Sequence, residues 1–135
     1  MTMTHLFIIS AVVVAVIWSV ITSGLPKKYR ARGSSAKRWL STFPVAPKQQ
    51  IREFLLIFTG AFDFTKSSRL KFDPRDKILD IYCELHPRQG GLDSSELESL
   101  ARIIEDKYNC NLSDLWHEEL TLGELFTKVS GFEPV

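Results

Sequence analysis

Residues 91–129 read GLDSSELESLARIIEDKYNCNLSDLWHEELTLGELFTKV, and this stretch carries the clearest helix signals in the chain. Asp93 suits a helix N-cap, and Glu96, three positions later, suits the second half of a capping box. Apolar residues then recur at the i, i+3, i+4 spacing that is typical of one helix face: Leu97, Leu100, Ala101, Ile104 and Tyr108. The pattern predicts an amphipathic helix that starts near Asp93 and ends near Tyr108.

The second half of the same stretch predicts two further helices. Asn109 and Asn111 suit the turn after the first helix. Ser113 or Asp114 then suits the N-cap of a short helix through DLWHE, and Thr121 suits the N-cap of a last helix through LGELFTKV.

Upstream, two more segments have helical periodicity. Residues 48–62 are apolar at Ile51, Phe54, Leu55, Phe58 and Phe62. A polar stretch follows and predicts a loop. A second helix is then predicted to start near Pro74 or Asp76, with apolar residues between Ile78 and Leu85 on its buried face. No segment alternates apolar and polar residues as a strand does. Residues 48–135 are therefore predicted to form an all-α domain of three to four short helices, and the sequence leaves open whether residues 47–62 pack on this bundle or on a membrane.

A run of sixteen residues without charge, amide or proline stands near the start of the chain, LFIISAVVVAVIWSVI from Leu6 to Ile21. Extended to Leu25, it spans about 20 residues, roughly enough to cross a bilayer core. A cleaved signal peptide is the main alternative, but MTMTH lacks the basic residues that such a peptide carries. Residues 1–25 are therefore predicted to be a transmembrane anchor.

Charge is divided sharply along the chain. Residues 24–71 hold eleven Lys and Arg against two acids, a net +9, whereas residues 72–135 hold fourteen acids against six bases, a net −8. Cations flank the cytoplasmic side of a membrane span, which predicts a single-pass protein of the inner (cytoplasmic) membrane with its N-terminus outside and the remaining chain in the cytoplasm. Residues 26–47 are predicted to be a basic juxtamembrane linker, with Trp39, Leu40 and Phe43 at the headgroup level.

The acidic half argues against nucleic acid as a partner and favours a basic protein. The sequence also lacks the signals of an enzyme, because it shows no nucleophile–base set, phosphate loop or metal motif. The two cysteines, Cys83 and Cys110, have no C-x-x-C spacing.

Residues 91–129 resemble the C-terminal two-thirds of an acyl carrier protein, over about 40 of 135 residues without a gap. Asp93 and Ser94 match the Asp-Ser of that family's Asp-Ser-Leu motif, and Tyr108 matches the aromatic that closes its second helix. The DLWHEELTLGELF ending is similar to that of a family of small, uncharacterised enterobacterial proteins with an acyl-carrier-like fold. The resemblance implies an acyl-carrier-like bundle.

The resemblance further implies that the Ser94 hydroxyl carries a 4′-phosphopantetheine arm, with Asp93 beside it. It also implies that the acidic helix docks a transferase or another acyl-transfer enzyme through four carboxylates, those of Glu96, Glu98, Glu105 and Asp106. Chemistry on such an arm belongs to the arm and to the partner enzymes.

Two departures from the family pattern favour a protein that keeps the fold without the arm. Ser95 stands where the family has Leu, and Arg102 places a cation in the middle of the acidic helix. Asp-Ser-x-Glu is also an ordinary arrangement at a helix start, which needs no modification to explain it. The sequence thus leaves two hypotheses, a membrane-tethered, non-catalytic interaction module and a true acyl carrier modified on Ser94.

Overall fold

The computed structural model describes residues 25–85 and 95–135, and in both ranges the protein is all-α. Its α-helices are α1 (Lys27–Arg30), α2 (Ala36–Thr42), α3 (Lys48–Ala61), α4 (Ile78–Leu85), α5 (Ser95–Tyr108), α6 (Leu112–Leu115) and α7 (Leu122–Ser130), and a 3₁₀-helix covers Lys66–Lys71. Within these ranges the only β-type pairing is one isolated antiparallel bridge between Lys77 and Thr121. The predicted fold class, a small helical domain, is confirmed.

Helix α3 lies at the centre of the domain. Phe54, Leu55 and Phe58 are fully buried on it, so the periodicity of residues 48–62 marks a core helix. The helix packs against both the 3₁₀-helix and α5. The question that the sequence left open is therefore answered, because residues 48–61 pack on the bundle.

An aromatic cluster joins α2, α3 and α7 within this core. The ring of Phe126 on α7 lies 4.9 Å from that of Phe43, 5.3 Å from that of Phe54 and 6.1 Å from that of Trp39, each with an edge-to-face geometry. Pairs at these separations contribute about 0.5–1.5 kcal/mol each beyond the area that they bury.

The prediction that Trp39 and Phe43 lie at membrane headgroups is wrong. Both side chains are 1% exposed in the core, as is Tyr29. The indole N–H of Trp39 donates to the carbonyl oxygen of Phe72 at 2.8 Å, and the Ser35 hydroxyl donates to the same oxygen at 2.6 Å. Residues 26–47 thus fold into the domain as part of its core, rather than forming a linker outside it.

A polar cluster fixes the turn between α1 and α2 to the chain that follows the 3₁₀-helix. The guanidinium of Arg32 donates to both carboxylate oxygens of Asp76, at 2.6 and 3.0 Å, and lies over the ring of Tyr29. Asp73 accepts hydrogen bonds from the side chains of Arg38 and Arg75 and from the backbone N–H of Arg75. The cluster therefore joins the basic half of the sequence to the acidic half.

The Asp73 carboxylate is the most buried part of this cluster, since the residue is only 4% exposed. Burial raises the pKa of Asp73, but the hydrogen bonds from Arg38 and Arg75 outweigh burial and hold its pKa below the ordinary value. The carboxylate is consequently ionised wherever the domain is folded near neutral pH.

A backbone clasp ties the start of α4 to the start of α7. The N–H of Ile78 donates to the Leu120 carbonyl at 3.0 Å, and the N–H of Leu122 donates to the Asp76 carbonyl at 2.9 Å. Next to this pair, the N–H of Gly123 donates to the Pro74 carbonyl at 2.8 Å. We refer to these three hydrogen bonds as the clasp.

None of the helices in residues 25–85 and 95–135 is both long and apolar enough to span a bilayer. The predicted anchor falls almost entirely on residues 1–24, outside the described ranges, and stays a prediction.

Candidate docking surface on helix α5

Helix α5 has one buried face and one exposed face, as its sequence pattern predicts. Leu100 and Ile104 are fully buried, and Leu97, Ala101 and Tyr108 are partly buried against the core. The helix ends at Tyr108, and the next residue, Asn109, adopts φ 55° and donates its backbone N–H to the Glu105 carbonyl at 2.9 Å. The predicted Asn turn after this helix is confirmed.

The exposed face of α5 carries three carboxylates that the sequence singled out. Glu98, Glu105 and Asp106 are exposed, and no cation in the described ranges forms an ion pair with any of them. Glu96, the fourth predicted partner-binding residue, is half-buried at the start of the helix. The structure thus places the predicted acidic residues on one helix, three of them facing solvent.

Two cations lie among these acids, and neither pairs with the three exposed ones. Arg102 is exposed, and its guanidinium lies 3.5 Å from the Ser99 hydroxyl of its own helix. The ammonium of Lys107 lies 3.5 Å from a carboxylate oxygen of Glu53 on α3. Negative charge on the outer face therefore stays available to a partner.

An apolar groove of about 300 Å³ runs beside this face, between α5 and α6. Its walls are Leu97, Ala101, Leu112 and Trp116, with Glu98 and Ser113 at the edge. Trp116 packs against the core but is only partly buried, so that it also lines the groove. We call this groove, together with the carboxylates of Glu98, Glu105 and Asp106, the acidic docking surface.

Helix α6 is held beside the groove by a cap that sequence reasoning misplaced. The side-chain oxygen of Asn111 accepts hydrogen bonds from the backbone N–H of Ser113 at 3.1 Å and from its hydroxyl at 2.7 Å. The prediction of Ser113 or Asp114 as the cap is wrong, because Asn111 caps the helix, which already starts at Leu112. Leu112 itself is buried and, together with Trp116, lines the groove.

The start of α7 is capped as predicted. The Thr121 hydroxyl accepts the backbone N–H of Glu124 at 3.1 Å, and Gly131 closes the helix at φ 83°, a left-handed conformation that glycine adopts readily. Between α6 and α7, His117 lies 3.0 Å from a Glu124 carboxylate oxygen, and Lys77 forms an ion pair with Glu119 at 2.5 Å. This turn is therefore an exposed ion-paired surface, separate from the groove.

The predicted attachment site falls just outside the described ranges. Asp93 and Ser94 precede Ser95, the first residue of α5 that the structure describes. Within residues 25–85 and 95–135, no group of three or more His, Cys, Asp or Glu side chains is arranged to hold a metal ion. Cys83 and Cys110 are free thiols.

Comparison of the chain with known protein families, curated proteins and solved structures finds no match.

Proposed function

We propose that this protein is a membrane-tethered, non-catalytic interaction module that binds a basic protein through its acidic docking surface. The observation that carries the proposal is the combination of an apolar groove beside α5 with three exposed carboxylates that no described cation pairs with. Interfaces of moderate affinity combine an apolar centre with a charged rim in this way. Complementary charge mainly accelerates encounter and selects the partner.

The apolar run of residues 6–21 supplies the tether in this proposal. It anchors the protein in the inner membrane with the N-terminus outside, and the helical domain lies in the cytoplasm. The partner would then be a cytoplasmic or membrane-associated protein that carries a basic patch, such as an acyl-transfer enzyme.

The proposal is tested by site-specific photo-crosslinking of the full chain in cells. A photoreactive residue at Arg102 lies in the centre of the acidic docking surface, and one at Gln50, exposed on α3, serves as the reference position. We expect a discrete crosslinked product at Arg102 only, and we expect the triple variant Glu98→Lys, Glu105→Lys, Asp106→Lys to lose it. The matched control reverses three exposed acids elsewhere, Asp80, Glu84 and Glu133, and keeps the product. Crosslinking that is equal at both positions, or that survives the α5 reversal, contradicts the proposal.

A second candidate function is an acyl carrier with 4′-phosphopantetheine on Ser94. The observation in its favour is that Asp93 and Ser94 directly precede, in the sequence, the acidic stretch that the structure shows as α5. A phosphate linked to this serine would lie near the positive end of the α5 dipole. The attachment of phosphopantetheine to Ser94 would be the only covalent reaction that this function requires of the chain.

The intact mass of the protein separates these two functions. The full chain is co-expressed with a broad-specificity phosphopantetheinyl transferase, because residues 25–47 belong to the core and a shorter fragment would lose them. A mass gain of one phosphopantetheine arm that is lost in Ser94→Ala establishes the carrier. An unchanged mass, beside a known carrier modified in the same cells, excludes it and leaves the interaction module.

A further inference from the structure

A second groove lies between α2, α3 and the 3₁₀-helix, and its chemistry is opposite in charge to that of the acidic docking surface. It encloses about 300 Å³, with a floor of Trp39, Ile51 and Leu55 and apolar walls of Leu40 and Leu70. Three cations stand at its rim, Lys48, Arg52 and Arg69, and none of the described residues that line it carries a carboxylate. We call it the basic-rimmed groove.

The rim cations are available to a ligand. Lys48 and Arg52 are exposed one turn apart on α3, and no acid in the described ranges forms an ion pair with them or with Arg69. The Arg69 guanidinium donates one hydrogen bond, to the Lys66 carbonyl of its own 3₁₀-helix. Arg32 and Arg38, in contrast, are held by buried or half-buried carboxylates, and no described carboxylate holds the three rim cations in this way.

The basic-rimmed groove is connected through the 3₁₀-helix to α1, the first helix that the structure describes. Its Arg69 and Leu70 belong to the 3₁₀-helix, which packs directly against α1. Helix α1 begins at Lys27, six positions after the apolar run ends at Ile21. Lys27, Lys28 and Arg30 are exposed on α1, so that positive charge continues from the groove to this end of the chain.

From these features we propose that the basic-rimmed groove binds an anionic phospholipid, with part of one of its acyl chains over the apolar floor and its headgroup between Lys48, Arg52 and Arg69. An anionic lipid has an apolar chain and a negatively charged headgroup. These two parts match the apolar lining of the groove and the cations at its rim. A cation near an anionic membrane surface contributes attraction that the acidic half of the domain cannot supply. A volume of about 300 Å³ lies at the small end of ligand sites and is enough for part of one acyl chain.

Lipid bound in this groove would orient the domain as well as tether it. The groove is formed by α2, α3 and the 3₁₀-helix, whereas the acidic docking surface is formed by α5 and α6. An anionic membrane that holds the basic-rimmed groove would repel the carboxylates of the acidic docking surface. The inference goes beyond the proposed function and does not depend on it, because lipid can reach the groove from solution.

Native mass spectrometry of the full chain in neutral detergent tests this proposal, with phosphatidylglycerol or phosphatidylcholine added to the micelles. We expect the wild type to retain phosphatidylglycerol in preference to phosphatidylcholine. The variant Lys48→Gln, Arg52→Gln, Arg69→Gln should bind phosphatidylglycerol at least about tenfold more weakly, since three cations at the headgroup are removed. The control Lys27→Gln, Lys28→Gln, Arg30→Gln loses the same charge on α1 and should retain the lipid. Circular dichroism verifies that each variant is folded.

Several outcomes would overturn the inference. Equal loss of lipid in both triple variants would assign the binding to general charge attraction. A photoreactive acyl chain on the phosphatidylglycerol that labels peptides outside residues 36–55 and 66–72 would place the lipid elsewhere. Concentration-dependent dimers that disappear in the groove variant alone would show that a second copy occupies the groove.

The proposed membrane anchor is tested separately. Failure of the chain to remain with membranes after alkaline carbonate extraction would contradict the anchor and leave the lipid-binding test unaffected.

Discussion

The indole N–H of Trp39 donates to the carbonyl oxygen of Phe72 at 2.8 Å, across 33 positions of sequence. The bond connects α2 to the chain that leaves the 3₁₀-helix, and the Trp39 ring simultaneously contacts Phe43, Phe54 and Phe126. Trp39 is therefore the residue through which the segment before α3 is fixed to the core.

Replacement of Trp39 should separate its hydrogen bond from its packing. Trp39→Phe removes the N–H but keeps an aromatic ring, and because Ser35 still donates to the Phe72 carbonyl we expect a loss of about 1–2 kcal/mol. Trp39→Ala removes the ring as well and should cost about 3–5 kcal/mol. Urea unfolding of the full chain in detergent measures both values. If Trp39→Ala is as stable as the wild type, the core described here is wrong.

Asp73 should make the domain sensitive to acid. Its pKa in the folded protein lies below its ordinary value, so the stability that it contributes is complete above the unfolded pKa and is lost as the pH falls through the lowered, folded pKa. Asp73→Asn should be less stable than the wild type at pH 7, and the difference should shrink progressively below about pH 4. Thermal unfolding of both proteins from pH 7 to pH 3 gives the comparison. A difference that is constant over this range would contradict the assignment.

Tyr29 should make the domain sensitive to alkali. Burial, with a further contribution from the Asp76 carboxylate, raises the pKa of Tyr29 to about 12. A raised folded pKa contributes stability that is present below the unfolded pKa, near 10, and is lost as the pH rises toward the folded value. The wild type should therefore weaken between about pH 10 and pH 12, and Tyr29→Phe should weaken less. The ultraviolet absorbance of tyrosinate reports the titration directly. If Tyr29→Phe follows the wild-type curve, Tyr29 is not the responsible group.

Two glycines in helices should respond to alanine in opposite directions. A Cβ on Gly123 would stand 2.9 Å from the Pro74 carbonyl oxygen and 3.1 Å from the Pro74 Cβ, so Gly123→Ala must open the clasp and should cost about 1–3 kcal/mol. A Cβ on Gly60, near the end of α3, would meet no atom within 4 Å. Gly60→Ala should instead stabilise the protein by about 0.5–1 kcal/mol, because alanine loses less backbone entropy on folding. Denaturant midpoints of the two variants are sufficient, and a stabilising Gly123→Ala would contradict the close approach.

Local patterns predicted the helices whose signals are contained within one segment. The spacing of Phe54, Leu55 and Phe58 placed α3, that of Leu100 and Ile104 placed α5, and Thr121 located the start of α7. Such signals are visible in sequence because the cap and the apolar face lie within a few turns of one another. The same patterns placed Glu98, Glu105 and Asp106 on the exposed side of α5.

The role of residues 26–47 was not predictable in this way, since their partners lie far along the chain. Trp39 and Phe43 meet Phe126, more than eighty positions later, and Arg32 meets Asp76. The basic residues of this segment are also explained by the positive-inside rule for membrane spans. That explanation gave no reason to expect its aromatic residues in the core. The basic-rimmed groove was missed for the same reason, because it is assembled from three separate elements.

The clasp between Asp76–Ile78 and Leu120–Leu122 brings two points of the chain, some forty positions apart, side by side. The chain passes through α4, α5 and α6 between these two points, so these helices belong to a segment whose ends lie side by side. Because the two ends of this segment lie together, the segment does not link distant parts of the domain. Substitutions on its outer side therefore leave the path of the remaining chain unchanged. The outer side of α5 is thus free to acquire a new binding specificity through surface substitutions, while the inner side of α5 and the aromatic cluster of α2, α3 and α7 keep the domain folded.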